Sequence, residues 1–248
     1  MRLYFVRHGQ STNNVLGTSD LNQEEINLQR HHDPELTETG VQQAQRVGSF
    51  LADGIDMPEP YPEPFKLTHI YVSPMIRALN TAKPIAEATG LNPIVWTDIF
   101  EFGGLFKLDA EGNITNYPGL TRSEMKAQYP NYVLPHEITE DGWWDVNYGR
   151  EHPQQFMARA IAVALRIRKL TMTDQRIAIV AHAAFLDSLM KALLSQLPTH
   201  PDSLFYNHYN TGITRIDFAE SHYTASTDHM RIHYINRVDH LPPDLRTW

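Results

Sequence analysis

Cysteine is absent from the 248-residue chain, which removes disulfides, thiolate nucleophiles and cysteine-based zinc or iron–sulfur centres from consideration. A basic balance is missing too: 21 Lys and Arg stand against 29 Asp and Glu, a formal net charge of −8. Loose binding to nucleic acid or to an anionic membrane needs a basic face, so neither is expected as a partner. No run approaches the ~18–20 apolar residues that cross a bilayer, and the opening apolar stretch is too short for a signal peptide. A cytoplasmic protein is expected. There is also no internal repeat, no G-x-S-x-G elbow and no GxxxxGK[ST] loop. An HExxH zinc motif is lacking, since Glu140 stands where the second histidine after His136-Glu137 would be. His31-His32-Asp33 has only a superficial metal-site look, and His229 and His233 lie four apart in a segment that reads as strand. Neither a metal nor a cofactor is expected.

What is present alternates. RLYFVRH at the start reads as a strand, and a helix follows from the Thr37 cap through Val41, Ala44, Val47 and Leu51. Thr68 to Ser73 is a second strand, with a helix after Pro74, and Asn92 to Asp98 a short third. Residues 99–150 lose the pattern among repeated glycines and prolines and read as an inserted cap. A helix returns over 152–170 with Phe156, Ala160, Ile161, Ala164 and Ile167 on one face. Arg176 to His182 is a buried-looking strand, followed directly by a helix from Ala183 to Leu197. Thr214 to Ala219 and Met230 to Val238 read as a closing pair of antiparallel edge strands, and PEPYPEP (58–64) as a proline-rich surface loop. With 42% hydrophobic residues the chain can bury a real core. The expectation is one α/β domain over 1–248, a three-layer α/β/α sandwich on a mostly parallel sheet, with the cap at about 99–150.

Three strand candidates stop on chemistry-bearing residues. The first ends Arg7-His8-Gly9, the second Ser73-Pro74 with Arg77 one turn into the next helix, and a later one His182. In a parallel sheet the carboxyl ends share one edge, where ligands bind, so two histidines and two arginines should converge there. Arginine forks suit phosphate oxygens, and the helix starts after Pro74 and after His182, with Ala183 first in line, should add amide donors. A histidine beside two arginines should be held neutral, keeping a lone pair for attack.

The successive runs RHGQSTNN (Arg7 to Asn14), DPELTETGVQQAQ (Asp33 to Gln45), SPMIRALNTA (Ser73 to Ala82) and IVAHAAFL (Ile179 to Leu186) resemble, in order, the motifs of the histidine phosphatase superfamily, also called the phosphoglycerate mutase-like family. The resemblance covers most of the chain. It implies that His8 accepts a phosphoryl group and that Arg7, Arg77 and His182 surround the phosphate. Asn14, and Ser11 with it, would contact the phosphate. The general acid would come from IFEFGG, a loose match that nominates Glu101, with Asp98 as the nearest competitor. A carboxyl flanked by Phe100 and Phe102 could be raised by partial burial and protonate a poor leaving group. Two departures stand out. Ala183-Ala184 replaces the glycine that often follows the second histidine, and the loop between Asn14 and Leu36 is long enough to cover the site and shape specificity.

The motifs of cofactor-dependent mutases, E-R-x-Y-G-x-L-Q-G and R-R-S-x-D-x-P-P, are absent. The resemblance therefore favours a metal-independent phosphomonoesterase of the histidine acid phosphatase type, hydrolysing a small phosphorylated metabolite through a phosphohistidine. A phosphoglycerate mutase-type transferase and a non-catalytic phosphoryl-binding protein on the same fold are the alternatives. Trp143 and Trp144 fit either a substrate-stacking wall or the small core of the cap. The partner expected is a small phosphate ester, and the oligomeric state stays open, a dimer included.

Overall fold

In the computed structural model, which describes residues 1–57, 60, 62–170, 173–198, 204–219 and 229–248, the expected strands and long helices appear in order, joined by short helices and strands that the sequence pattern did not show. They are β1 (Arg2–Arg7), α1 (Thr12–Gly17), α2 (Gln23–Gln29), α3 (Glu38–Asp53), β2 (Ile55–Met57), β3 (Glu63–Pro64), β4 (His69–Val72), α4 (Ile76–Thr89) and β5 (Ile94–Val95). There follow β6 (Phe106–Leu108), β7 (Ile114–Asn116), α5 (Arg122–Gln128), α6 (Pro153–Arg168), β8 (Arg176–Ala181), α7 (Ala183–Leu193), β9 (Ile213–Ala219) and β10 (His229–Arg237). Six strands form one sheet in the order β10-β9-β1-β8-β4-β5. β1, β8, β4 and β5 run parallel, while β9 is antiparallel to β1 and β10 to β9.

The period-two alternation of side chains assigns each strand residue to a layer. In β1, Tyr4 and Val6 join Val47 and Leu51 of α3 and Leu79 and Ile85 of α4 on one face. Leu3 and Phe5 join Val163 and Ile167 of α6 and Phe185 and Leu189 of α7 on the other. Central strands buried on both faces have no polar alternation to show, which is why β1 and β8 read as continuous apolar runs.

Several boundaries differ from the expectation. β9 lies inside the sheet between β1 and β10, so of that pair only β10 is an edge. α7 stops at Leu193, four residues short of Leu197, and the third parallel strand shrinks to Ile94–Val95. Val41 and Ile161 are exposed rather than core, because each lies about 100° around its helix from the buried stripe. That stripe runs Gly40, Ala44, Val47, Leu51 in α3 and Phe156, Ala160, Val163, Ile167 in α6. Residues 58, 59 and 61 of the PEPYPEP run lie outside the described residues, and Glu63–Pro64 pairs with β2.

Between β5 and α6 the chain makes the β6–β7 hairpin and α5. Its Leu105, Met125, Ile138, Trp143 and Trp144 join the same apolar core as Met75, Leu79 and Ala82 beside α4. Both tryptophans are buried, which fits the core reading of the pair. Gly104 is required here: its φ is +77°, and a Cβ would sit 2.3 Å from Trp144 Cζ2. Among the described residues, no helix is long and apolar enough to cross a membrane.

Candidate active site

The carboxyl edge of the parallel strands collects the residues that the sequence singled out. His8 follows β1 directly, its amide donating to Ala181 O at 2.9 Å as the ladder runs on. His182 follows β8 and begins α7, Ser73 follows β4, and Arg77 is the second residue of α4. The turn after His8 is shaped by two glycines. A Cβ on Gly9 would lie 2.6 Å from Gly40 O, and one on Gly40 would lie 2.0 Å from Gln10 O. The backbone of the first motif thus rests on the start of α3, and Thr37 N donates to Gln10 O at 2.9 Å across the same contact. Thr81 ties the loop to α4, accepting from Gly9 N at 2.9 Å and donating to Arg77 O at 2.7 Å.

His8 is buried, with Nδ1 2.7 Å from Gly9 O. A carbonyl only accepts, so Nδ1 carries the proton and Nε2 keeps its lone pair. Arg77 Nε donates to that lone pair at 3.2 Å. The ring of His182 stands 5.1 Å from that of His8, centroid to centroid. His182 Nε2 is 2.7 Å from Ser73 Oγ, while its Nδ1 is buried without a partner among the described residues. Arg7 Nη1 donates to His208 O at 2.6 Å, and its buried Nε likewise has no partner. An unsatisfied buried polar atom costs ~1–3 kcal/mol. A ligand rich in acceptors would satisfy both.

Charge and burial hold both rings neutral. Burial is the larger cause for His8, followed by Arg77 and Arg7, and together they keep it well below the ordinary histidine value. His182 is lowered in the same way, by burial first and then by Arg77 and His8. Arg77 is steadied by Asp33, whose Oδ1 lies 3.8 Å from Nη1. Burial pushes the Asp33 carboxyl up to about 7, against the opposing pull of Arg77 and of the Ile76 amide.

Glu101 sits at the start of α7, half-buried. Its Oε1 accepts from Phe102 N at 2.8 Å and Phe185 N at 3.1 Å, and its Oε2 from Ala184 N at 3.3 Å. Asp33 does the same for α4, accepting from Ile76 N at 3.1 Å. The amides expected to reach a ligand are therefore largely taken by two carboxylates of the protein itself, a correction to the expectation of two open helix starts. Ala183 N remains, with no hydrogen-bond partner among the described residues.

Ser11 and Asn14 form a reciprocal cap on α1: Ser11 N and Oγ each donate to Asn14 Oδ1 at 3.0 Å. Asn210 Nδ2 donates to His8 O at 3.0 Å and reaches Asn14 Oδ1 at 3.4 Å. The Asn14 carbonyl is thus engaged, and its amide group has no partner among the described residues. Asp98 is placed elsewhere, paired with Arg166. Among the described residues no cluster of three or more His, Asp or Glu could hold a metal ion. His31 stacks on His32, and His32 on Tyr117, while His233 lies 3.1 Å from Asp217.

Asp33, Ser73, Thr81 and Asn210 support the site without having been singled out for it. Asp33, Ser73 and Thr81 lie inside the quoted motifs, so position offered a signal; Asn210 arrives from the loop before β9 and has none in the sequence.

Over 241 residues the chain is 25% identical to ecdysteroid-phosphate phosphatase of Drosophila melanogaster, covering 82% of the chain but spanning only 28% of that relative's length. Phosphoserine phosphatase of Entamoeba histolytica, solved with 3-phosphoglyceric acid, superposes with a TM-score of 0.56 at 20% identity, covering 97% of this chain and 99% of the other. A mycobacterial glucosyl-3-phosphoglycerate phosphatase superposes with a TM-score of 0.55 at 22% identity, covering 96% and 99%. At these identities the structural likeness establishes a shared fold. The family model for the histidine phosphatase superfamily, branch 1, matches residues 3–228, and the chain belongs to that superfamily.

Proposed function

We propose that the protein is a phosphomonoester hydrolase acting on a small phosphorylated metabolite through a phosphohistidine at His8. The observation that carries this reading is the tautomer of His8: Nδ1 is committed to Gly9 O at 2.7 Å, so Nε2 is the nucleophilic nitrogen. A bound phosphate would take the donors of Arg77 and Arg7, with His182 Nδ1, Ala183 N and the Asn14 amide completing the cradle and Ser11 holding Asn14 in place. As charge spreads over the transferring oxygens, fixed donors in a water-poor site stabilise it.

The Nε2 lone pair forms the N–P bond while the P–O ester bond breaks. Glu101 gives a proton to the leaving oxygen; Oε2, held only by the 3.3 Å amide bond, is the oxygen with room for it. Water then attacks the phosphohistidine, Glu101 takes the water's proton, and the N–P bonding pair returns to His8. Membership of the family, and relatives whose names are those of phosphatases, support the hydrolytic outcome. So does the absence from the sequence of the mutase motifs. No step calls on a metal.

A panel of phosphomonoesters with EDTA, with and without 2,3-bisphosphoglycerate, tests the reading. Phosphate release in EDTA without the bisphosphate is expected. Isomerisation that needs the bisphosphate and releases no phosphate would replace hydrolysis by transfer.

A further inference from the structure

We propose that Arg30, Lys107 and Arg150, gathered around a cavity of about 230 Å³ beside Glu101, form a second-anion subsite, so that the preferred substrate is a phosphomonoester carrying a carboxylate or a further phosphate. The inference rests on the hydrolase reading for the ester phosphate, and names the class of molecule that reading leaves open.

The cavity is lined by Arg30 just past α2, Lys107 and Phe106 of β6, Arg150 from the loop before α6, and Gln23 and Asn27 of α2. Phe106 is buried, and both guanidiniums lie over its ring, Arg150 at 4.7 Å and Arg30 at 5.4 Å from the centroid. An aromatic face attracts each cation but cannot cancel the repulsion between them. Among the described residues none of the three cations has a carboxylate partner. Five other arginines each hold a carboxylate: Arg159 holds Glu151, Arg166 holds Asp98, Arg176 holds Glu63, Arg215 holds Asp56 and Arg237 holds Asp239. In a protein of net charge −8, three unpaired cations around one cavity are an open position for an anion.

The cavity lies close to Glu101 along the chain. Gly103 is two residues from Glu101, and a Cβ there would meet Phe106 Cε1 at 2.8 Å and Arg150 Nε at 3.5 Å. Arg30 lies below the ordinary arginine value, first through burial and then through Arg150, with Glu101 pulling the other way. Arg30 in turn lowers Arg77, so its charge is felt at the phosphate pocket. A second anion would relieve both repulsions, and the charge-assisted bonds from two arginine forks would reject an analogue lacking it.

Two matched pairs test this. 3-Phosphoglycerate differs from glycerol 3-phosphate by its carboxylate, and fructose 1,6-bisphosphate from fructose 6-phosphate by a phosphate. The wild-type protein is expected to prefer the doubly anionic member of at least one pair by about tenfold or more in kcat/KM, and which pair carries the preference identifies the anion. Arg30→Gln and Arg150→Gln should each shrink that ratio about fivefold or more. Ratios near one for both pairs in the wild type, or ratios that survive in both variants, overturn the proposal. Arg150 is exposed, so its variant remains informative if Arg30→Gln fails to fold. Should no ester be hydrolysed at all, the hydrolase reading falls by itself. Titration calorimetry on the same pairs then decides the subsite by the same ratios in Kd.

Discussion

His8, His182 and Arg77 reach their pocket from two central strands and the first turn of a long helix, all buried. Arg30, Lys107 and Arg150 reach theirs from the end of a seven-residue helix, a three-residue strand and a loop. The first group is fixed by the sheet register and by the layers on either side. The second depends on local packing around Phe106. The groups proposed to make bonds sit where the fold tolerates least change, and the groups that would choose a substrate sit where sequence can vary without disturbing the sheet.

The largest effect should come from the rigid side. His8→Ala removes the proposed nucleophile and is expected to cost ~10⁴–10⁶-fold in turnover, measured by phosphate release. Turnover within tenfold of the wild type would place the chemistry elsewhere. Glu101→Gln should lose ~10²–10⁴-fold on alkyl phosphates and far less on p-nitrophenyl phosphate, whose leaving group needs little protonation. Equal losses on both substrates would assign the acid to another residue.

Asp33 acts through Arg77 as a positioning residue. Asp33→Asn should lower kcat/KM by roughly tenfold and remove the part of its pH dependence centred near 7, where the carboxyl titrates. A profile unchanged in shape would mean that Asp33 only caps α4.

Away from the sheet, Gly104→Ala should act mainly on stability. A left-handed residue and a contact 2.3 Å from Trp144 Cζ2 together are expected to lower the melting temperature by about 4–10 °C. An unchanged melting temperature would show that the segment around Trp144 relaxes freely.

The smallest effect is in the pH dependence of stability. His208 is buried and lowered to about 4 by that burial, so unfolded chains take up its proton near pH 6.5 while folded ones do not. Its contribution to stability is present above pH 6.5 and is lost as pH falls toward 4, with a slope of up to ~1.4 kcal/mol per pH unit. Asp33 has the opposite sign: its raised carboxyl favours the folded state at low pH, an advantage lost as pH rises from about 4 to about 7. Urea unfolding of His208→Gln between pH 7 and 5 should show a shallower fall than the wild type; an equal slope would remove His208 from the balance.

The same contrast explains what could be read in the sequence. Strands that end on Arg7-His8, Ser73 and His182 announce a shared edge, because parallel pairing leaves the carboxyl ends no other place to go. The four long helices were legible from the sequence while the three short ones, over 12–17, 23–29 and 122–128, were not, and Val41 and Ile161 misled only because they sit one step outside the buried stripes. Glu101 was legible as a carboxyl between two aromatics. That it would occupy the first-turn amides of α7 was not, since the contact joins residues 83 and 84 positions apart. Arg30, Lys107 and Arg150 were invisible for the same reason: no periodicity links them, and only folding places them around one ring.

The most direct test is to trap the intermediate. The protein is mixed with a ³²P-labelled phosphomonoester, quenched in alkali within one turnover, digested, and the labelled peptide sequenced. Alkali-stable, acid-labile label on the peptide containing His8, absent from His8→Ala, is the predicted result; single-turnover hydrolysis with no labelled histidine, or label that persists in His8→Ala, would contradict it.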